Sequence, residues 1–275
     1  YGLIVGHVQS GKTGHYTSLL AILADSDFTF VIVLSGILND LRRQTQKRLM
    51  KDLVGDSHDM LENEKCIPTE KRKGWEILTT LDDDVKKVVT QVLPERMDND
   101  NKIITLIVKK NVNVLEHLLN GIKATKEQIL SKHRVLIIDD EADHATVNTG
   151  GPGDEFYDES LQNREYDDDI TDSMDSDPSK TNILVRRIIK AFDKSAYIGY
   201  TATPYANVLI DESIDDPKYG KSLYPRDFIV CLRKPDSYFG AEKFFGDPLA
   251  KQSDTPYTVI LSKEQEEKFY SIDED

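Results

Sequence analysis

The chain has 275 residues, and its apolar share of 39% beside a charged share of 31% suits one large water-soluble domain or two small ones. No apolar run approaches the length that spans a bilayer, and no basic-then-apolar leader opens the sequence, which sets aside membrane-spanning and secretory-signal readings. The net charge of −14 speaks against a nucleic-acid partner only until it is located: residues 154–177 hold eleven acids and one base, Arg164, so the rest of the chain is nearly balanced.

Tyr1 leads straight into an apolar strand candidate at 2–5, so the native start is expected upstream. A glycine-bearing loop, 6–11, precedes a helix at 12–24 with Leu19, Leu20 and Leu23 on one side. The β-branched run 28–34 predicts a buried strand, and 38–50 a strongly basic helix. Residues 52–102 read as a mostly helical excursion. Strands follow at 103–108 and 135–139, with a helix starting at 112 between them. The acidic stretch, about 150–180, reads as a solvated insertion. An amphipathic helix at 182–192, a strand at 196–200 and one more at 228–232 complete the series. Strands alternating with helices predict an α/β fold with a mainly parallel sheet and helices on both faces. In such sheets ligands sit beyond the carboxyl ends of the strands, so the residues there carry the information.

Cys66 and Cys231 stand far apart without a partner pattern, which fits a reduced, cytoplasmic setting. The six histidines show no metal-ligand spacing with them.

Gly6-His7-Val8-Gln9-Ser10-Gly11-Lys12-Thr13 fits the pattern G-x-x-x-x-G-K-[ST] between a strand and a helix. The chemistry needs this order. Glycines let backbone N–H groups curl around phosphates, and the helix that follows points its positive end at them. Lys12 then reaches the β- and γ-phosphates of ATP, and the Thr13 hydroxyl is a ligand for Mg2+. The run Val135-Leu136-Ile137-Ile138-Asp139-Asp140-Glu141-Ala142-Asp143 is an apolar strand ending in carboxylates. Asp140 is the candidate to hold the magnesium ion and Glu141 to polarise the attacking water; Asp139 is the alternative if the strand ends one residue earlier. Thr201-Ala202-Thr203-Pro204 follows another strand, where small hydroxyl residues can bond to neighbouring carboxylates.

Together, Gly6 to Thr13, Asp140-Glu141-Ala142-Asp143 and Thr201-Ala202-Thr203 resemble motifs I, II and III of superfamily-two helicases, the second spelling the DEAD box. A narrower resemblance runs to about residue 246. Val8 to Thr13, Leu34-Ser35-Gly36-Ile37-Leu38-Asn39-Asp40-Leu41-Arg42, Gly199 to Asn207 and Leu223-Tyr224-Pro225-Arg226-Asp227-Phe228 are similar to the Z-one domain family, described as endonucleases of bacterial restriction and phage-defence systems. The resemblance implies a three-layer, RecA-like P-loop NTPase lobe over 1–246, with 247–275 as a tail or the start of a further region.

It also implies roles. Gly6, Gln9, Ser10, Gly11, Lys12 and Thr13 would bind ATP; Lys12, Asp140 and Glu141 would be catalytic; Thr201 and Thr203 would couple nucleotide state to nucleic-acid grip. Residues 35–42 would match the region that touches a nucleic-acid backbone, most simply DNA. Arg42, Arg43, Lys47, Arg48 and Lys51 crowd one helix, as phosphate contacts require, although a solvated face beside acidic neighbours gives the same pattern. Motors of this kind use a second RecA-like lobe, and the roughly 70 residues after Thr203 are too few for one; that lobe is expected elsewhere in the intact protein. A nuclease reading of Pro235-Asp236 with Glu266 and Lys268 is weak, because no strand pattern surrounds Glu266. A nucleotide-switched protein-binding scaffold is the remaining alternative, with the acidic insertion as its surface.

Overall fold

The computed structural model describes residues 1–54, 74–82, 84–85, 87–98, 102–144, 146–147, 178–236 and 238–240. The chain divides into a unit Tyr1–Leu232 and a second unit Arg233–Asp275. In the second, the backbone turns back at Tyr238, whose N–H donates to the Pro235 carbonyl at 2.9 Å. The boundary expected at 246, the acidic insertion, Glu266 and Lys268 lie outside the described residues.

The first unit is built on β1 (Gly2–Val5), β2 (Phe30–Ser35), β3 (Gly74–Ile77), β4 (Lys102–Val108), β5 (Val135–Asp140), β6 (Ser195–Thr201) and β9 (Phe228–Cys231). They form one seven-stranded sheet in the order β3-β4-β2-β5-β6-β1-β9, with every pairing parallel. A short antiparallel pair, β7 (Asp215–Asp216) and β8 (Gly220–Lys221), stands apart. The central strands are apolar on both faces because both faces are covered. On one face Tyr16 and Leu20 of α1 (Lys12–Ala24) and Leu49 of α2 (Asn39–Leu49) pack on Val31, Val33, Leu136 and Ile138. On the other, Leu115, Leu118 and Ile122 of α4 (Val112–Ala124) and Leu184 and Ile188 of α6 (Pro178–Lys190) pack on Phe30, Ile32, Leu106 and Ile137. Each such side chain, fully buried, contributes about 1.5–3 kcal/mol. The result is the three-layer α/β sandwich that the strand–helix alternation predicts.

Local chemistry sets the helix ends. Asn111 caps α4 by accepting from the N–H groups of Asn113 and Val114 at 3.0 and 3.3 Å. In α1 the buried positions 12, 16 and 20 recur every fourth residue, and Leu19 and Leu23 are only partly covered. Where described, stretch 52–102 holds strand as well as helix: β3 forms the sheet edge, and α3 (Lys87–Met97) follows it. The four-residue strand GWEI is too short to show a period.

Register fixes what meets at the carboxyl end of the sheet. Val5 is level with Thr201, and Tyr200 with Asp140. The tips of β1 and β5 flank β6, roughly 10 Å apart at two strand spacings. All three sequence motifs therefore open onto one edge.

Candidate nucleotide site

The loop after β1 turns into α1 through Gly11, which has φ 89° and serves as the helix N-cap. A side chain there would be strained, so the glycine is a backbone requirement. Gln9 is also left-handed, at φ 56°. Ser10 donates its N–H to the His7 carbonyl at 3.2 Å, which curls the loop, and Gly6 donates to the Thr201 carbonyl at 3.0 Å, which ties it to β6. Lys12 is nearly buried, and among the described residues its ammonium has one hydrogen-bond acceptor, the His7 carbonyl at 3.2 Å. The Ser10 Oγ is buried and, among the described residues, has no partner. A cation and a hydroxyl left in this state fit an incoming polyanion.

Across β6, Asp140 stands at the tip of β5. Its Oδ2 accepts from the Tyr16 hydroxyl at 3.2 Å and its Oδ1 from the Glu141 N–H at 3.2 Å. Burial, and then the neighbouring Glu141 charge, raise its pKa; the Tyr16 hydrogen bond and the charges of Lys110 and Lys12 oppose them. The Tyr16 hydroxyl also engages Thr13 and Thr45, so the Thr13 hydroxyl and the Asp140 carboxylate share a neighbour. A hydroxyl and a carboxylate disfavoured by burial are the donor set a hard divalent cation takes, and Thr13 with Asp140 fit magnesium.

β5 runs one residue further than the apolar pattern predicts, and the two aspartates at its end have different surroundings. Asp139 is fully buried: Lys110 Nζ lies 2.8 Å from its Oδ1 and the Tyr197 hydroxyl donates to its Oδ2 at 2.6 Å. It is committed to the interior, and Asp140 is the carboxylate at the edge. Glu141 follows in a left-handed conformation, φ 57°, with its side chain half-buried.

Asp143 joins the turn to β6. It accepts from the Thr201 hydroxyl at 2.7 Å and from the Thr203 hydroxyl at 2.5 Å. Burial works to raise its pKa, but the Thr203 and Thr201 hydrogen bonds outweigh it and hold the carboxyl below its usual value. His144 lies 3.7 Å from the same carboxylate. Asn207, in the short helix α7 (Tyr205–Val208), donates to the Ala142 carbonyl at 3.0 Å. Gly199 makes this packing possible, since a Cβ there would lie 3.0 Å from the Ala142 Cβ and 3.1 Å from Leu3.

The basic helix α2 corrects one expectation. Arg42 is 1% exposed. Its guanidinium donates to the carbonyls of Thr80 and Leu81, both at 2.8 Å, and lies 3.7 Å from Asp84. It holds the 79–85 segment against α2 and presents no face to a phosphate. Burial, only partly offset by Arg42, raises Asp84 to about 6. Arg43 is half-exposed, on the Leu81 carbonyl and beside Asp40 and Asp82. Lys47, Arg48 and Lys51 are exposed. Sequence reasoning missed Lys110, Asn207, Tyr16 and Tyr197; of these only Asn207 fell within a quoted motif.

Among the described residues no helix is long and apolar enough to cross a membrane, and no cluster of histidine, cysteine and acidic residues forms a ready-made metal site. The sequence matches the family of the type III restriction enzyme, res subunit, over residues 1–206. No curated protein matches the chain.

Proposed function

The chain belongs to the type III restriction enzyme res-subunit family, a helicase-like family, and on that basis we propose that it is the ATP-hydrolysing lobe of a motor acting on nucleic acid, DNA above all, in a restriction or defence protein. The observation that carries this reading is the pairing of an unfinished loop with a finished acidic turn. Lys12 and the buried Ser10 hydroxyl, which has no partner among the described residues, open onto the edge where Asp140 stands. The narrower likeness to the Z-one domain family supports the same setting, and a second RecA-like lobe in the intact protein belongs to the proposal.

Backbone N–H groups of Gly11 and Lys12, at the start of α1, cradle the phosphates, and the Lys12 ammonium holds the β- and γ-phosphates. Thr13 and Asp140 would hold magnesium, which offsets charge on the transferring phosphoryl group when bound. Glu141 takes the proton of a water whose oxygen bonds to the γ-phosphorus; the bond to the β–γ bridging oxygen breaks, and its electron pair leaves with ADP. Thr201 and Thr203, tied to Asp143, pass a change at this turn into β6 and the segment after it. Arg43, Lys47 and Lys51 of the exposed basic face are the candidates for backbone phosphates.

The deciding experiment is steady-state ATPase of the intact protein alone, with duplex DNA and with RNA. Hydrolysis that DNA stimulates is the expected result. Nucleotide binding with turnover indifferent to any nucleic acid favours a nucleotide-switched scaffold, and DNA cleavage with magnesium but no ATP favours a nuclease.

A further inference from the structure

Lys110 lies two residues beyond β4, and its side chain is wholly buried against the wholly buried Asp139. Such pairs are weak evidence for stability, because a well-packed apolar pair of the same volume does as well or better. Its other contacts show what the ammonium does. Nζ donates to the Glu141 carbonyl at 2.5 Å and to the His144 carbonyl at 2.9 Å. The Lys110 N–H donates to the Gly36 carbonyl at 2.7 Å, which fixes the base of this side chain to the end of β2.

Glu141 is the residue most affected. It is left-handed, a conformation that a side chain bearing a Cβ adopts only when its surroundings hold it. The holding groups are identifiable: its N–H is on Asp140 Oδ1, and its carbonyl accepts from Lys110 Nζ and, within the turn itself, from the His144 N–H at 2.8 Å. With both peptide groups fixed, the direction in which the Glu141 side chain leaves the backbone is fixed too.

We propose that Lys110 is a positioning residue for ATP hydrolysis: by clamping the Glu141 carbonyl it aims the Glu141 carboxylate at the attacking water. This rests on the reading of Glu141 as the base of an ATPase. Asp139 is the counter-charge that lets a lysine occupy a dry position, and the Tyr197 hydroxyl holds Asp139 in place. The lysine also adds favourable charge near Asp140, which carries no direct bond to it.

Lys110→Ala alone leaves Asp139 buried and unpaired, and is expected to unfold the chain rather than report on the clamp. The test therefore uses Lys110→Met with Asp139→Asn in the intact protein, which removes both charges and keeps an acceptor for Tyr197. Affinity for a fluorescent ATP analogue should stay within a few-fold of wild type, while kcat falls by roughly 100-fold, the scale of a misplaced catalytic group. Added to Glu141→Gln, the same pair of changes should cost little more, because two residues acting through one carboxylate are not additive. Wild-type kcat in the double variant overturns the proposal, as does a loss that multiplies in full with that of Glu141→Gln. Loss of nucleotide binding overturns it in favour of a purely structural ion pair. If wild-type protein itself lacks ATPase, the parent reading fails, and this one with it; an active wild type with an equally active double variant sinks only the role of Lys110.

Discussion

Two turns at the same sheet edge are built in opposite ways. The loop after β1 is under-bonded: a buried Ser10 hydroxyl has no partner among the described residues, and Lys12 rests on one carbonyl. The turn after β5 is bonded more densely, although the Asn207 Oδ1 beside it has no partner among the described residues: Thr201 and Thr203 hold Asp143, Asn207 holds the Ala142 carbonyl, and Lys110 holds those of Glu141 and His144. A site that must accept a highly charged ligand needs donors that are not already spent. A site that must place charge against a reacting group needs carboxylates that do not move. Under the proposed function the first turn binds and the second preorganises, so substitutions in the two should fail differently.

The largest effect is expected at Lys12. Lys12→Ala in the intact protein should lower kcat/KM for ATP by roughly 100- to 1,000-fold, the loss typical of one aimed electrostatic contact to a transition state. The thermal midpoint without nucleotide should barely change, since the side chain gives up one hydrogen bond, to a neighbouring carbonyl. Full ATPase in this variant, measured by phosphate release, removes the basis for calling the loop a phosphate cradle.

Asp143 should show the opposite profile, losing stability first. Its pKa is held below the ordinary carboxylate value by Thr203 and Thr201, so it binds its proton less readily folded than unfolded. Such a group contributes stability above the unfolded pKa, about 3.9, and that contribution disappears as pH falls through the lower, folded value. Asp143→Asn should therefore lower the melting temperature at pH 7 and flatten its decline below about pH 4. It should also weaken stimulation by DNA more than basal turnover, because the two threonine contacts link the turn to β6. Parallel wild-type and variant acid limbs, followed by circular dichroism, would show that these hydrogen bonds carry no net stability.

How far the sequence discloses this contrast depends on how local its causes are. The sheet strands other than β3, and the glycine-bearing loop before α1, were legible because a β-branched run, a glycine spacing and a lysine–threonine pair are contiguous signals. The acidic end of β5 was legible, but the different surroundings of Asp139 and Asp140 were not. That turns on a strand one residue longer than its apolar letters and on Lys110, 29 positions away in sequence. Lys110 itself reads as the polar end of a strand. Arg42 is the clearest failure of charge counting: its partners at 80, 81 and 84 come from a segment with no visible period, so a structural guanidinium looked like part of a phosphate-binding face. The left-handed Glu141 leaves no compositional trace, since its backbone is held by other residues.

The smallest expected effect is also the most discriminating, because its sign differs with the ligand. Ser10 Oγ is buried without a partner among the described residues, so the nucleotide-free chain bears a desolvation cost for that hydroxyl. Ser10→Ala removes the cost along with the hydroxyl, and the melting temperature without nucleotide should stay level or rise by a degree or two, in keeping with about 0.5 kcal/mol. With ATP the same change removes a donor from the phosphate cradle. Affinity should fall by roughly five- to tenfold, the worth of one hydrogen bond of about 1–1.5 kcal/mol. The two melting curves should therefore cross: the variant equal or more stable alone, less stable at saturating nucleotide, where ligand binding adds to the folded state. A variant uniformly less stable than wild type, with and without ATP, would mean that the hydroxyl already bonds within the protein, and the opposition between an open loop and a closed turn would lose its best evidence.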